Sequence, residues 1–247
     1  MKLHEMRVLV TGASSGLGAH MASMLAAKGT RVAAAARRVA AIDALAGASD
    51  GKIVPIAMDV SDPASVECGV DAAAEALGGL DGLVNNAGVA WGGRAIEMPE
   101  VDWQKVIDTN LSGVFRVAHA TARVMAGEGG GAIVNTASIL GFGTGAGVAA
   151  YATSKAAVVH LTRSLALEWV RYNIRVNALA PGYFPTEIND EFLASAEGEA
   201  LRKNIPMRRF GRYEDLDGPL ELLLSEQGAY ITGVTLPVDG GHLVRPL

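Results

Sequence analysis

Short runs of β-branched and small apolar residues alternate with longer helical patterns along this chain, and that alternation limits the folds open to it. Residues 7–10, 32–36, 53–58, 83–85, 132–136, 175–179 and 234–238 read as seven strands. Helical patterns fall near 17–28, 63–77, 100–125, 152–172 and 213–224. Strands separated by helices call for right-handed crossovers, which lay the strands parallel and cover both faces of the sheet. The fold class expected is α/β, with a doubly wound, seven-stranded, mostly parallel sheet and helices on both faces. No repeat, low-complexity tract or linker divides residues 1–247, so one domain is expected.

Composition supports a large buried core: half the residues are hydrophobic and 19% are charged. A net charge of −5, with Lys and Arg scattered, gives no electrostatic reason to expect nucleic acid or an anionic membrane as a partner. No apolar run approaches the eighteen or so residues of a membrane span, and the N-terminus lacks the apolar stretch of a signal peptide. A cytoplasmic protein is expected. The single cysteine, Cys68, excludes an intrachain disulfide and points to a reducing compartment; its apolar helical setting predicts a buried, inert thiol. The five histidines are isolated and show no metal-ligand spacing, so no metal is expected.

The first strand runs into Thr11-Gly-Ala-Ser-Ser-Gly-Leu-Gly18, which opens a helix. Glycines allow a tight turn and a close backbone approach, and the helix N-terminus offers free N–H groups and a positive dipole end. In this strand–turn–helix context Gly12, Ser14, Ser15, Gly16, Leu17 and Gly18 read as a pyrophosphate cradle for a dinucleotide. The second strand ends at Ala36, where an NAD-binding fold usually carries an acid for the ribose 2′-hydroxyl. Arg37 and Arg38 follow and suit a 2′-phosphate, unless they are simply solvated residues at a helix start. One charge-assisted hydrogen bond of about 1.5–3 kcal/mol gives a roughly 10- to 100-fold preference, so NADP(H) is expected over NAD(H), with NAD(H) open.

The third strand leads to Asp59 and Val60. Asp59 would accept from an adenine amino group or cap the helix beginning at Pro63; the sequence leaves both open. Asn85-Asn86-Ala87-Gly88 is a second small-residue turn, suited to a cofactor ribose passing over the backbone or to an ordinary Asn/Gly turn. Asn110 stands in a helical pattern where its amide competes with main-chain bonds, which marks a local irregularity or a satisfied buried amide. Ser138 ends the fifth strand and precedes a glycine-rich loop that leads to Tyr151-Ala-Thr-Ser-Lys155.

Tyr151 and Lys155 are one helical turn apart on one face. By itself such a pair is as well explained by a surface coincidence. As a functional pair, an ammonium near the phenol would favour the phenolate and lower its pKa from about 10. A drop of two to three units needs roughly 3–4 kcal/mol at about 1.36 kcal/mol per unit, and would make Tyr151 an acid/base near neutral pH.

Read together and in order, TGxxxGxG at 11–18, NNAG at 85–88, Asn110, Ser138 and Tyr151-xxx-Lys155 closely resemble the single-domain branch of the short-chain dehydrogenase/reductase family, across essentially the whole chain. The resemblance implies a Rossmann-like oxidoreductase that moves a hydride between a nicotinamide and a carbonyl or secondary alcohol. Tyr151 would be its proton donor and acceptor, and Ser138 would bind the reacting oxygen. Lys155 would tune the tyrosine and hold the nicotinamide ribose, while Asn110 would hold a water in a proton relay. Tyr151 and Lys155 thus count among the cofactor contacts, with Asn86, Ala87 and Gly88 and with Pro181, Gly182, Phe184 and Thr186 around the nicotinamide carboxamide.

Residues 183–205 resemble the family's mobile substrate lid. Phe184, Ile188, Phe192 and Leu193, with Trp91, Leu140, Phe142 and Tyr183, would line an apolar pocket for a hydrophobic ketone or alcohol, unless the lid's apolar side packs on the domain. A homotetramer is the family expectation. The alternatives are an NAD-dependent dehydrogenase of a cyclic or aromatic hydroxy compound and, from another class, a non-catalytic dinucleotide-sensing regulator.

Overall fold

The computed structural model describes residues 1–187 and 189–244. All seven expected strands form: β1 Arg7–Thr11, β2 Arg31–Ala36, β3 Ile53–Ala57, β4 Gly82–Asn85, β5 Gly131–Thr136, β6 Ile174–Pro181 and β7 Thr235–Val238. They make one sheet in the order β3-β2-β1-β4-β5-β6-β7, and each neighbouring pair is parallel. Strand order reverses between β1 and β4, so the loops after these two strands part and open a crevice at the carboxyl edge. That edge is where Thr11, Asn85, Thr136 and Pro181 end their strands.

The helices are α1 Gly16–Ala27, α2 Ala40–Gly47, α3 Pro63–Leu77, α4 Glu100–Ile107, α5 Gly113–Gly127, α6 Ala149–Trp169, α7 Asp190–Leu193, α8 Ala196–Asn204 and α9 Asp217–Leu224. Helix α2 went unanticipated because it is short, eight alanine-rich residues of which only Ile42 is buried. The long pattern from Glu100 is two helices, α4 and α5, joined by a π turn at Asp108–Ser112. The stretch expected as one helix from Tyr213 begins as a 3₁₀ turn, Tyr213–Leu216, before α9.

Strand side chains alternate between two cores. Val8, Val10, Val32 and Ala34 face Met21 and Leu25 of α1 and Leu220 and Leu223 of α9. Leu9, Ala33, Leu83 and Ile133 face Val66 and Val70 of α3, Val117 and Met125 of α5 and Leu165 of α6. Both faces are covered, which is why the strands read as nearly continuous apolar runs. Among the described residues no helix is long and apolar enough to cross a membrane.

Arg175 on β6 fixes the end of α9. Its Nη1 donates to the carbonyls of Leu223 (2.8 Å) and Ile231 (3.3 Å), and its Nη2 to those of Leu224 (2.9 Å) and Ser225 (3.1 Å). A cation at a helix C-terminus complements the dipole as well as satisfying carbonyls. Burial pushes the guanidinium pKa down without discharging it. Arg175→Met should lower stability by about 3 kcal/mol, since carbonyls lose a charged donor inside the fold. The urea midpoint measures it; an unchanged midpoint would show the α9 end to be held by other means.

Candidate active site

The turn after β1 and the turn after β4 are built against each other. The Thr11 hydroxyl oxygen accepts from the main-chain N–H groups of Asn86 (3.0 Å) and Ala87 (3.1 Å). Asn86 Nδ2 in turn donates to the Thr11 carbonyl at 3.3 Å, while Asn85 Nδ2 donates to the Val114 carbonyl at 2.7 Å. Gly12 has φ +67°, and a Cβ there would lie 2.8 Å from Ala87 Cα. A Cβ at Gly18 would collide with the Gly12 carbonyl oxygen. Ser15 precedes α1 in extended backbone and makes no side-chain cap, so the first N–H groups of the helix are left for another acceptor. Leu17 packs against the core. Ser14 and Gly16 stand beside this opening, with the Thr186 methyl 3.8 Å from a Cβ built on Gly16. A dinucleotide pyrophosphate fits these residues: they form a backbone cradle with uncapped donors and no room for side chains.

At the adenosine end Ala36 is buried and Arg37 and Arg38 are exposed. The two arginines diverge. Arg37 lies close enough to Asp59 to help hold that carboxyl below its usual range, although the larger causes are the hydrogen bonds from Ser61. Arg38 Nη2 lies 3.5 Å from Ser14 Oγ and 3.8 Å from a Glu187 carboxylate oxygen, so it bridges the glycine turn and the root of the lid. Asp59 does not cap α3. Its Oδ1 accepts from the Ser61 N–H (2.9 Å) and hydroxyl (2.6 Å), while Asp62 accepts from Ala64 N–H ahead of Pro63. Val60 is buried beside it.

Ser138, Tyr151, Lys155 and Asn110 converge on the next stretch of the same edge. Ser138 follows β5; its hydroxyl accepts from Leu140 N–H at 3.1 Å and lies near enough to the Tyr151 phenol to favour its ionised form. Lys155, 3% exposed, donates from Nζ to the Thr136 carbonyl at 2.7 Å and lies 5.6 Å from the Tyr151 ring centroid. Gly88 passes beside both polar groups: a Cβ there would be 3.4 Å from Asn110 Oδ1 and 3.7 Å from Lys155 Nζ, ordinary contact distances. Asn110 lies within the π turn, fully buried, with Oδ1 accepting from Val89 N–H (2.8 Å) and Nδ2 donating to the Val89 carbonyl (2.8 Å) and Ser154 Oγ (3.1 Å). Both expectations for Asn110 hold at once: the helix is irregular there and the amide is satisfied.

The expected lowering of the Tyr151 pKa is not what the geometry gives. Burial raises it, and the Ser138 hydroxyl opposes that only in part. Two facts account for the correction. The Lys155 ammonium donates to the Thr136 carbonyl and lies 5.6 Å from the Tyr151 ring centroid. Its own burial also pulls its pKa down to about 8, so its charge is itself held at a cost.

The substrate side is less apolar than the sequence suggested. Phe184 and Leu193 are buried in the fold, at 3% and 7% exposure, with the Phe184 ring packed where Gly211 has no side chain. Phe184 joins the core on one face of the sheet and also borders a cavity beside Tyr183. Phe142 and Phe192 remain 45% and 47% exposed, and Trp91 and Leu140 are half-buried. Trp91 sits on a loop tied to the glycine-rich segment before α6 by the Gly93 N–H to Gly147 carbonyl bond, at 3.0 Å. Tyr183 turns towards His242, 5.4 Å between rings, and lines a cavity of about 500 Å³ with Ile205, Met207 and Arg209 that does not include Ser138, Tyr151 or Lys155. Ile188 lies outside the described residues. Pro181 and Gly182 close β6 against Asp239, with the Gly182 N–H donating to the Val238 carbonyl at 2.9 Å.

Comparison with known proteins agrees with this arrangement. Residues 12–242 match the family described as enoyl-(acyl carrier protein) reductase. The chain is 39% identical to a D-threitol dehydrogenase of Mycolicibacterium smegmatis, over 96% of this chain and 92% of that one. It superposes on a short-chain type dehydrogenase/reductase from Mycobacterium marinum with TM-score 0.92, 40% identity, and 98% and 96% of the two chains covered. The chain belongs to the short-chain dehydrogenase/reductase family. A gluconate 5-dehydrogenase from Burkholderia cenocepacia, solved with NADP and tartrate, gives TM-score 0.95 at 34% identity, over 99% of this chain and 98% of that one. This short-chain dehydrogenase/reductase is accordingly an oxidoreductase that acts on alcohol and ketone groups.

Three features of this dehydrogenase were missed in the sequence. Thr11 clamps the two cofactor-side turns, Thr136 supplies the carbonyl for Lys155, and Ser154 joins Asn110 to the Tyr151 carbonyl, to which its hydroxyl donates at 2.7 Å. Only Ser154 carried a signal, a hydroxyl one turn after the tyrosine on the same helix. Cys68 also corrects an expectation: it is exposed, because the buried stripe of α3 runs through Val66, Gly69, Val70, Ala73 and Leu77 and leaves position 68 outside it.

The buried ammonium has a pH signature. With a folded pKa of about 8 against 10.5 for the free side chain, the unfolded chain holds the Lys155 proton more tightly. The cost of burial is therefore full below pH 8 and is relieved as pH rises towards 10.5. Over that window the parent should gain up to about 3 kcal/mol relative to Lys155→Met. Urea unfolding of both proteins across the window tests this; a constant difference would remove the buried-ammonium account.

Proposed function

We propose that the protein is an NADPH-preferring ketone reductase whose acid/base is Tyr151. The observation that carries this reading is the Tyr151 phenol beside the Ser138 hydroxyl, with Lys155 one turn further on, buried and bonded to the Thr136 carbonyl at the end of β5. Bound nicotinamide supplies the hydride; the chain supplies position and proton. Ser138 would hold the carbonyl oxygen and steady its developing charge. Lys155 would meet the nicotinamide ribose, and Gly182, Phe184 and Thr186 the carboxamide. Any relay past Asn110 would use its main chain, since the side chain is committed and a π turn takes a carbonyl out of the ordinary helical ladder.

A raised tyrosine pKa keeps the phenol protonated at neutral pH, the form that donates during reduction. Reduction should therefore hold its rate across neutral pH, whereas alcohol oxidation should climb as pH rises. Tyr151→Phe should lower kcat/KM by a factor of about 100 or more while dinucleotide affinity stays within a few-fold. A ketone, aldehyde and alcohol panel read by nicotinamide absorbance measures both; a Tyr151→Phe protein as fast as the parent would overturn the assignment.

The preference for NADP(H), with NAD(H) as an alternative, is supported by Ala36 where an acid would select NAD and by the exposed Arg37 and Arg38. Arg37→Asp should reverse a roughly 10- to 100-fold preference. Titration of parent and variant with NADPH and NADH decides the point, and equal or tighter NADH binding by the parent would sink it.

A second substrate reading, a polyol or sugar acid, is favoured by the relatives named for D-threitol and gluconate and by the withdrawal of Phe184 and Leu193 into the core. Exposed apolar residues on the outer helices, Val101 of α4 and Phe115 of α5, support a homotetramer. The lone exposed thiol fits a reducing cytoplasm.

A further inference from the structure

Asn189 carries the same functional group that the lid root is proposed to bind. Its Oδ1 accepts from the Thr186 N–H at 2.8 Å and from the Thr186 hydroxyl at 3.0 Å. Its Nδ2 donates to the Phe184 carbonyl at 3.0 Å. One planar primary amide thus uses an acceptor and a donor on the strap Phe184-Pro-Thr186. A nicotinamide carboxamide is also a primary amide, with the same acceptor and donor pair.

Asn189 makes no side-chain cap on α7. Its side chain reaches back to the Thr186 N–H in the manner of the third residue of a capping box, while the Thr186 carbonyl accepts from the Asn189 and Asp190 N–H groups, each at 3.0 Å. What a capping box does not account for is the donor from Nδ2 to the Phe184 carbonyl. The strap it grips is fixed independently. The Tyr213 hydroxyl donates to the Pro185 carbonyl at 2.6 Å, the Phe184 ring is buried, and the Thr186 methyl lies over Gly16. Asn189, by contrast, enters α7, a helix of four residues (Asp190–Leu193) whose first three are exposed. The main chain of Asn189 is bonded to the strap through its N–H and the Thr186 carbonyl at 3.0 Å, so an exchange at this contact needs only rotation of the Asn189 side chain.

We propose that Asn189 is an internal stand-in for the nicotinamide carboxamide, seated on its contacts until the dinucleotide enters and displaced by it. The inference rests on the reading above that this strap holds the carboxamide. The stand-in keeps the Thr186 donors and the Phe184 acceptor aligned and paired, and entry exchanges one primary amide for another. It therefore weakens binding of the nicotinamide half alone and favours release of the spent cofactor. The adenosine half is untouched.

The test compares NADPH with 2′-phospho-ADP-ribose, which lacks the nicotinamide, by fluorescence and calorimetric titration of the whole protein. Asn189→Ser should tighten NADPH three- to tenfold and leave the fragment unchanged. Asn189→Asp keeps the acceptor but loses the donor to Phe184, and should shift NADPH in the same direction by less. An unchanged ratio of the two affinities, or selectively weaker NADPH binding, overturns the proposal. Should both variants lose the two ligands together through misfolding, the parent protein decides. Its Asn189 side-chain amide, seen by ¹⁵N-asparagine labelling, should shift with NADPH and stay with the fragment; an amide unmoved by NADPH overturns the proposal. If the parent binds neither ligand, the dinucleotide reading falls and takes this inference with it; if it binds both with no effect at Asn189, only this inference falls.

Discussion

The hydrogen bond from Lys155 to the Thr136 carbonyl is the contact on which the rest of the site depends. It places an ammonium, nearly shut off from water, at the carboxyl end of β5. A buried cation is costly unless donors and charge are matched, so the surroundings must be built for it. The backbone at Gly88 passes within contact distance of both Lys155 and Asn110, and the π turn lets Asn110 satisfy the Val89 backbone from inside a helix. Ser154 ties the same amide to the Tyr151 carbonyl. The tyrosine is thereby fixed through its helix rather than through its hydroxyl, and its hydroxyl is left for Ser138 and a reacting oxygen.

That arrangement changes what the lysine does to the tyrosine. A four-residue spacing on a helix suggested direct stabilisation of the phenolate, but helical spacing sets only which side chains are neighbours. It does not say which atom the ammonium meets. Here Nζ lies beside the ring and is held by a main-chain acceptor, so burial dominates both groups: the phenol rises and the ammonium falls. Raising one and lowering the other draws the two proton affinities apart: from ordinary values of 10 and 10.5, the phenol rises while the ammonium falls to about 8. The tyrosine therefore holds its proton more tightly than the lysine does and stays in the form that can donate to a carbonyl.

The strands were legible because a sheet covered on both faces must be apolar at every position, and the glycine turn because Gly12 and Gly18 have no space for a Cβ. Helix α2 was not, since eight alanine-rich residues with one buried side chain are a short stretch from which to read a period. Cys68 was misread because an apolar neighbourhood in sequence is not a face in space; one position off the stripe of α3 is enough to expose it. The four residues around the proposed chemistry could be named because their types and order are restrictive. Their partners could not: Thr136 contributes a carbonyl that any residue would supply, and Asn189 reaches backwards from a place where a capping box carries Glu or Gln.

The same distinction explains why substrate identity is the least readable property. The segments expected to wall Tyr151 are the loop carrying Trp91, the segment after Ser138 and the lid, and main-chain and side-chain bonds tie them down outside the sheet. Gly93 to Gly147 joins the first two, and Tyr213 to Pro185 anchors the third. Loops tied at single points change shape with little effect on the sheet, so the scaffold tolerates variation there that would destroy Gly12, Lys155 or Arg175. Phe184 illustrates the consequence. Its aromatic character suggested a pocket wall, yet the bare Gly211 opposite draws its ring into the core and leaves only its carbonyl at the site. Side-chain type in such loops says what a residue could bury against, and the neighbour that lacks a side chain decides where it goes.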